Sequence, residues 1–355
     1  METGSQMRGV VFTGDREVEL IDFPDPSPGP REVVLEIKAS GMCGSDLKVY
    51  RRPKGGSLAA LGLPSLSGPV IAGHEPCGVV AAIGAGVGER EARVGARVMV
   101  HHYRGCGVCN DCRSGWSQLC QRETIAVYGV TAHGGHAAYL KVPASTLVPL
   151  TDALSFEAGA AIACGTGTAY GALRRMNISG NDTIAIFGQG PVGLSATQLA
   201  AAMGARVIAL DIGRERLARA REFGADAVID PGANDPVTAI KDLTHGGADL
   251  ALDTSSAPEA RLAAIRCAKV WGTVCFVGEG GNVTIDVSPD MLRKQLTVIG
   301  SWTFSTVGQA DCAEFIADRG IKVDNLFTDR WRLDQADEAY RRFDTQTTGK
   351  GVFLP

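Results

Sequence analysis

From about Leu154 onward the chain alternates short apolar runs with helical stretches, and this alternation limits the possible folds more than any other feature. The apolar runs are Thr183–Phe187, Arg206–Asp211, Ala227–Asp230, Leu250–Asp253, Thr273–Val277 and Leu296–Ile299. Helical patterns such as Pro191–Met203 and Arg214–Phe223 lie between them. Strands separated by helical crossovers predict a parallel sheet with helices on both faces, a doubly wound α/β unit. Ser155, before an Ala-rich segment, predicts the N-cap of the helix that opens this half.

The first run is followed at once by Gly188-Gln189-Gly190-Pro191-Val192-Gly193, and a helical pattern begins there. A GxGxxG alone is weak, but between strand and helix it has the context that dinucleotide binding requires. Gly188 permits a tight turn, Gly190 lets backbone approach a pyrophosphate, and Gly193 lets the helix pack on the sheet. The phosphates would then meet free N–H groups at the positive end of the helix. Asp211 ends the second run, 18 residues after Gly193. A carboxylate there can accept from both ribose hydroxyls and would repel a 2′-phosphate, so NAD is expected over NADP. Arg214 and Arg216 argue the other way, since a nearby Arg can accommodate that phosphate.

The first 150 residues read differently. Val33–Ile37, Val79–Ile83 and Ala96–Val100 are strand candidates, and Pro24, Pro26, Pro28 and Pro30 punctuate an early loop. A β-rich domain is expected here. The last 50 or so residues, helical and mixed, are expected to return to it. The chain has 355 residues, which suggests two cores. A net charge of −4 gives no reason to expect nucleic acid or an anionic membrane as partner. No apolar run approaches the roughly 20 residues of a bilayer span. Met1 to Gln6 lack a basic start followed by an apolar stretch, so no signal peptide is expected and a cytoplasmic location follows.

Ten cysteines in such a chain point to metal or redox chemistry. Cys106, Cys109, Cys112 and Cys120 follow C-x2-C-x2-C-x7-C, with Gly105, Gly107 and Gly115 supplying turns. Four clustered thiolates suit a closed, structural zinc site. The rival is an iron–sulfur cluster, whose bacterial pattern has a shorter last gap followed by Pro; here Gln121 follows. Cys77, Cys267, Cys275 and Cys312 sit in apolar or helical surroundings and are expected to be buried packing residues.

Three further segments share metal-ligand chemistry: Cys43-Gly44-Ser45-Asp46, His74-Glu75, and Cys164-Gly165-Thr166-Gly167-Thr168. Each alone is weak. Two Cys and one His together make a three-ligand zinc site with an open fourth position. Their order around the cysteine lobe, followed by the dinucleotide unit, resembles the zinc-containing medium-chain dehydrogenase/reductase family, alcohol dehydrogenases in particular. The resemblance covers nearly the whole chain.

The resemblance implies a β-rich GroES-like catalytic domain, residues 1–163 and 301–355, and a six-stranded Rossmann domain, residues 164–300, binding NAD. It implies hydride transfer between NAD and a secondary or polyol-type alcohol or its carbonyl. Cys43, His74 and Cys164 match the catalytic zinc ligands, and Cys106, Cys109, Cys112 and Cys120 the structural ones, giving two zincs per chain. Ser45 matches the acceptor of the substrate proton, and Asp46 the carboxylate that orients the imidazole. Glu75 matches a transient ligand, Thr168 and Val192 positions beside the nicotinamide, and Arg216 a basic residue near the adenosine. Relatives form dimers and tetramers, so a homo-oligomer is expected.

Several positions depart from the pattern. Lys48 replaces the His that often completes the proton relay, and a solvated ammonium is expected there. Phe353 replaces an Arg that often touches the cofactor phosphates. His102, Glu279 and Trp302 are expected in the substrate pocket, which suggests a polar substrate. The competing readings are a zinc-free quinone or enoyl reductase of the same fold and a non-catalytic dinucleotide-binding structural protein. Intact Cys43, Ser45, His74 and Cys164 argue against both.

Overall fold

The computed structural model describes residues 6–56, 68–345 and 349–355. The reading placed on Met1 to Ser5 lies outside them. Six parallel strands form one sheet in the order Ala227–Ile229, Arg206–Leu210, Thr183–Phe187, Ala248–Asp253, Ala268–Phe276, Thr297–Gly300. That is the doubly wound Rossmann order, with the chain reversing direction beside Thr183–Phe187. This strand is buried along both faces, which is why it reads as an unbroken apolar run. Helices Pro191–Ala202, Pro236–Thr244 and Pro258–Cys267 each start on a proline, where its missing N–H costs nothing.

The sheet departs from expectation at its fifth strand, which begins at Ala268 instead of Thr273. Lys269, Val270 and Trp271 are exposed and Trp271 has φ +65°, so the early part shows no apolar run. The pairing register shifts there as well.

The second large sheet is mostly antiparallel. Glu32–Gly41 lies at its centre, flanked by Lys350–Phe353 and Glu75–Ile83, and also pairs with Tyr139–Pro143. Arg97–Val100 and Leu147–Pro149 continue it on one side, and Phe327–Trp331 on the other. This is the β-rich GroES-like half, and the last two strands of the chain pair into its sheet. A hairpin of Gln6–Gly14 and Glu17–Pro24 was not foreseen. Its turn uses Asp15 and Arg16 at positive φ, without the Asn-Gly or Asp-Gly pair that announces such turns.

A helical rod connects the two sheets. Ser155 caps Phe156–Ala161, accepting from the Ala158 N–H at 3.0 Å. Gly159 lies so close to the antiparallel sheet that an added Cβ would sit 2.4 Å from Cys77 Sγ. The rod then widens into a π turn, Ile162–Thr166, before Gly167–Arg175 resumes α geometry. Cys77, Cys267, Cys275 and Cys312 are fully buried, and burial pushes the Cys267 and Cys275 thiols up to about 12. They are packing residues. Among the described residues no helix is long and apolar enough to cross a membrane.

Candidate active site

Cys43 follows the end of the central antiparallel strand, and Ser45 and Asp46 open the short helix Asp46–Tyr50. His74 precedes strand Glu75–Ile83, after a glycine held at φ +91°. Cys164 sits within the π turn, where the backbone is wider than an α-helix. These three segments converge. One donor atom from each of Cys43, His74, Glu75 and Cys164 lies within 4.8 Å of every other.

The donor set fits zinc. A tetrahedral ion with sulfur bonds of about 2.3 Å holds two sulfurs roughly 3.8 Å apart. Cys43 Sγ and Cys164 Sγ are 3.9 Å apart. The hydrogen bond from Cys164 lowers the Cys43 thiol well below its usual range, overcoming burial. Ser45 Oγ lies 3.2 Å from His74 Nε2, and Asp46 Oδ1 lies 2.8 Å from Nδ1. The carboxylate therefore faces one ring nitrogen while the other faces the sulfurs.

Glu75 and Lys350 form a fully buried pair behind the donors. The Lys350 ammonium reaches Glu75 Oε1 at 2.8 Å and Oε2 at 2.7 Å, and donates to the Met42 carbonyl at 2.8 Å. Glu75 Oε2 has no well-aligned hydrogen bond, and one of the two carboxylate oxygens lies within 4.8 Å of the other three donors. Burial pushes the Glu75 carboxyl up to about 8 against the pull of Lys350. Lys350 was not anticipated. In sequence it is one lysine between two glycines, Gly349 and Gly351. Phe353 itself is fully buried, its ring centroid 4.5 Å from that of His136, inside the antiparallel half. Tyr340 and His136 were missed too. His136 reads in sequence as one ring among glycines and alanines, and Tyr340 as one aromatic residue in a charged helical stretch.

The four sulfurs of the cysteine lobe lie within 4.8 Å of one another. Cys106 and Cys112 sulfurs are 4.0 Å apart, as are those of Cys109 and Cys120. Backbone N–H groups of Cys106, Cys109 and Cys112 donate to Cys120, Cys106 and Cys109 sulfurs. Backbone N–H donors from Cys106 and Arg122 pull the Cys120 thiol down to about 6. Such donors stabilise thiolates ready for a metal. The Gln118 amide ties the lobe to Thr303 Oγ1 and the Phe304 carbonyl.

The fingerprint glycines behave as their roles require. Gly188 has φ +90°. A Cβ on Gly193 would lie 1.8 Å from the Gly188 carbonyl oxygen, whereas one on Gly190 would meet nothing within 4 Å. Gly193 is thus needed for packing, and Gly190 faces open space that a ligand can use. Asp211 accepts from the Gln189 N–H at 2.6 Å and the Gly213 N–H at 2.8 Å, and Arg216 stands 3.7 Å from it.

A single cleft joins these parts. Cys43, Ser45, His74 and Cys164 line it beside Thr168, Gly190, Val192 and Gly193. His102, Tyr103, Glu279 and Trp302 line it as well. His102 Nδ1 donates to the Ala163 carbonyl at 3.0 Å. Burial holds that imidazole neutral, so its Nε2 is an acceptor. Tyr103 was not foreseen; its ring lies between those of His102 and Trp302, tilted to both, with centroids at 4.2 and 5.6 Å. Lys48 is exposed to solvent and pairs with the exposed Glu279 at 3.2 Å.

Comparisons with known proteins agree with this geometry. Residues 29–152 match the alcohol dehydrogenase GroES-like domain, and residues 191–318 match zinc-binding dehydrogenase. The zinc-type alcohol dehydrogenase-like protein YphC of Escherichia coli K12 is 40% identical over 351 residues, covering 98% of each chain. Among solved structures, an alcohol dehydrogenase of E. coli CFT073, rspB, complexed with NADH, is 26% identical with a TM-score of 0.86, over 99% of this chain and 100% of that one. A zinc-binding dehydrogenase from Sinorhizobium meliloti 1021 bound to NADP is 28% identical with a TM-score of 0.87, over 99% and 100%.

Proposed function

The chain belongs to the zinc-type alcohol dehydrogenase family of oxidoreductases, and we propose that it passes hydride between NAD and a secondary or polyol-type alcohol on a zinc held by Cys43, His74 and Cys164. The observation that carries this reading is the convergence of two sulfurs and an imidazole in the cleft that the fingerprint glycines also line. When bound, zinc supplies positive charge that acidifies the substrate hydroxyl, and NAD supplies the hydride acceptor. Ser45, beside His74 and open to the cleft, accepts the proton the alcohol gives up. Thr168 and Val192, which line the cleft, would lie beside the nicotinamide. Gly188, Gly190 and Gly193 present the helix N-terminus to the pyrophosphate. Asp211 would accept from the adenosine ribose, and Arg216 would flank the adenine side.

Asp211 supports NAD over NADP, because a buried carboxylate at that place repels a 2′-phosphate. The four-cysteine lobe takes a second, structural zinc, and its closed donor set leaves no open position. The division into residues 1–163 with 301–355, and 164–300, is supported by the C-terminal strands joining the antiparallel sheet. Edge strand Thr297–Gly300 carries the half-exposed Val298, and a second copy placed there would make a homodimer or part of a tetramer.

Metal analysis and NAD reduction over a panel of alcohols test the reading together. The protein should carry two zincs per chain and reduce NAD with an alcohol. His74→Ala should lose one zinc and about 10³-fold or more in turnover, with its melting temperature little changed. Turnover by His74→Ala equal to that of the parent protein contradicts the proposed site.

A further inference from the structure

Behind Asp46 runs a string of buried polar groups that the reaction itself does not use. Ser40 Oγ lies 2.8 Å from His136 Nδ1, and His136 Nε2 lies 2.7 Å from Tyr340 Oη. Tyr340 Oη lies 3.1 Å from Asp46 Oδ2. Ser40, His136 and Tyr340 are each completely buried, and Asp46 nearly so. They come from three separate places: the central antiparallel strand, the loop at 133–138, and the C-terminal helix Ala336–Thr345.

The direction of every bond in the string is determined. Asp46 accepts the Cys43 N–H at 2.9 Å on Oδ2 and faces His74 with Oδ1, so both its oxygens serve as acceptors. Tyr340 must then donate to it. The Tyr340 oxygen accepts from His136 Nε2–H, which leaves Nδ1 to accept from the Ser40 hydroxyl. All donors point toward the carboxylate, and each polarises the next.

The surrounding structure makes room for this arrangement. The His136 ring occupies the space above Gly73, where an added Cβ would lie 2.3 Å from its Nδ1. The Tyr340 ring is held by Phe12, Tyr50 and Phe353. His74 Nδ1 and Asp46 Oδ1 are close but imperfectly aligned, so the imidazole depends on a carboxylate that cannot swing.

We propose that Tyr340, oriented by His136 and Ser40, is a positioning residue for the zinc site: it clamps Asp46 so that His74 presents Nε2 to the metal in one orientation. The C-terminal helix thereby takes part in metal retention without touching the metal. The proposal rests on the zinc reading above.

The test is zinc release from the holoenzyme to a chromogenic chelator. The catalytic-site phase is identified as the one absent in His74→Ala. Tyr340→Phe keeps the ring and loses the donor, and should weaken catalytic-site zinc about 10-fold, the low end for partners of ligands. The four-cysteine phase should not move. Ser40→Ala, at the far end of the string, should shift the same phase by about 2- to 3-fold. Tyr50→Phe removes a hydroxyl from the same aromatic cluster and should leave both phases unchanged.

Parental release from Tyr340→Phe, with two zincs bound, overturns the proposal and leaves the zinc reading standing. Equal weakening by Tyr50→Phe also overturns it, because packing would then explain the effect. A parent protein with only the four-cysteine zinc overturns both.

Discussion

Asp211 already spends one lone pair of each oxygen on backbone N–H groups, those of Gln189 and Gly213. This fixes the carboxylate while leaving acceptor capacity on both oxygens. Arg216, 3.7 Å away, is attracted to it and held from turning toward a phosphate. Replacing Asp211 with Ser removes the repelling charge and the attraction that draws Arg216 to it. Each lost charge-assisted hydrogen bond is worth about 1.5–3 kcal/mol. Asp211→Ser should therefore lower kcat/KM for NAD and raise it for NADP, moving their ratio by about 100-fold. Initial rates with the two cofactors at one alcohol concentration decide it. An unchanged ratio would mean that this carboxylate does not choose the cofactor.

At the level of elements, the strand–glycine–helix unit is the least tolerant part of the fold. Helix Pro191–Ala202 approaches strand Thr183–Phe187 so closely that a Cβ on Gly193 would overlap the Gly188 carbonyl oxygen at 1.8 Å. That oxygen is backbone and cannot rotate aside. Gly193→Ala should cost about 1–3 kcal/mol of stability and push the helix N-terminus off the phosphate position. NADH binding, followed by fluorescence, should weaken at least about 10-fold. Retained affinity would show that the helix can shift without losing the ligand. This unit was legible in the sequence because the physics is local: a run of apolar residues, a fixed glycine spacing, an acid in register. The cysteine lobe was legible for the same reason. The π turn around Cys164 was not, because nothing in Ala163–Thr168 distinguishes a π turn from an α-helix before tertiary contacts form. Lys350 and Tyr340 were invisible for a related reason. Their meaning comes from partners 275 and 294 residues earlier, Glu75 and Asp46.

Across the whole molecule, the cleft is walled by both halves, and Lys48 and Glu279 meet across it. Lys48 belongs to the helix beside Ser45, and Glu279 to the loop after the fifth parallel strand. Their 3.2 Å contact is half in water, so its contribution to stability is about 0–1 kcal/mol. Its effect should be felt by what enters the cleft. The pair adds a charged edge to a pocket whose lining also includes the apolar Trp302, Val130 and Ile125 and the buried His102 acceptor. A substrate with several hydroxyls can exchange hydrogen bonds with Lys48, Glu279 and His102. An apolar secondary alcohol leaves the ions with only each other and water. Glu279→Leu should therefore lower kcat/KM for polyols relative to an apolar secondary alcohol by about 10-fold, with an unchanged melting temperature. Lys48→Met should shift the ratio in the same direction, and the double variant should add little, since either change dissolves the pair. If the ratio across the panel stays that of the parent in both single variants, the charged edge has no part in choosing the substrate, and selectivity must come from the His102–Tyr103–Trp302 wall.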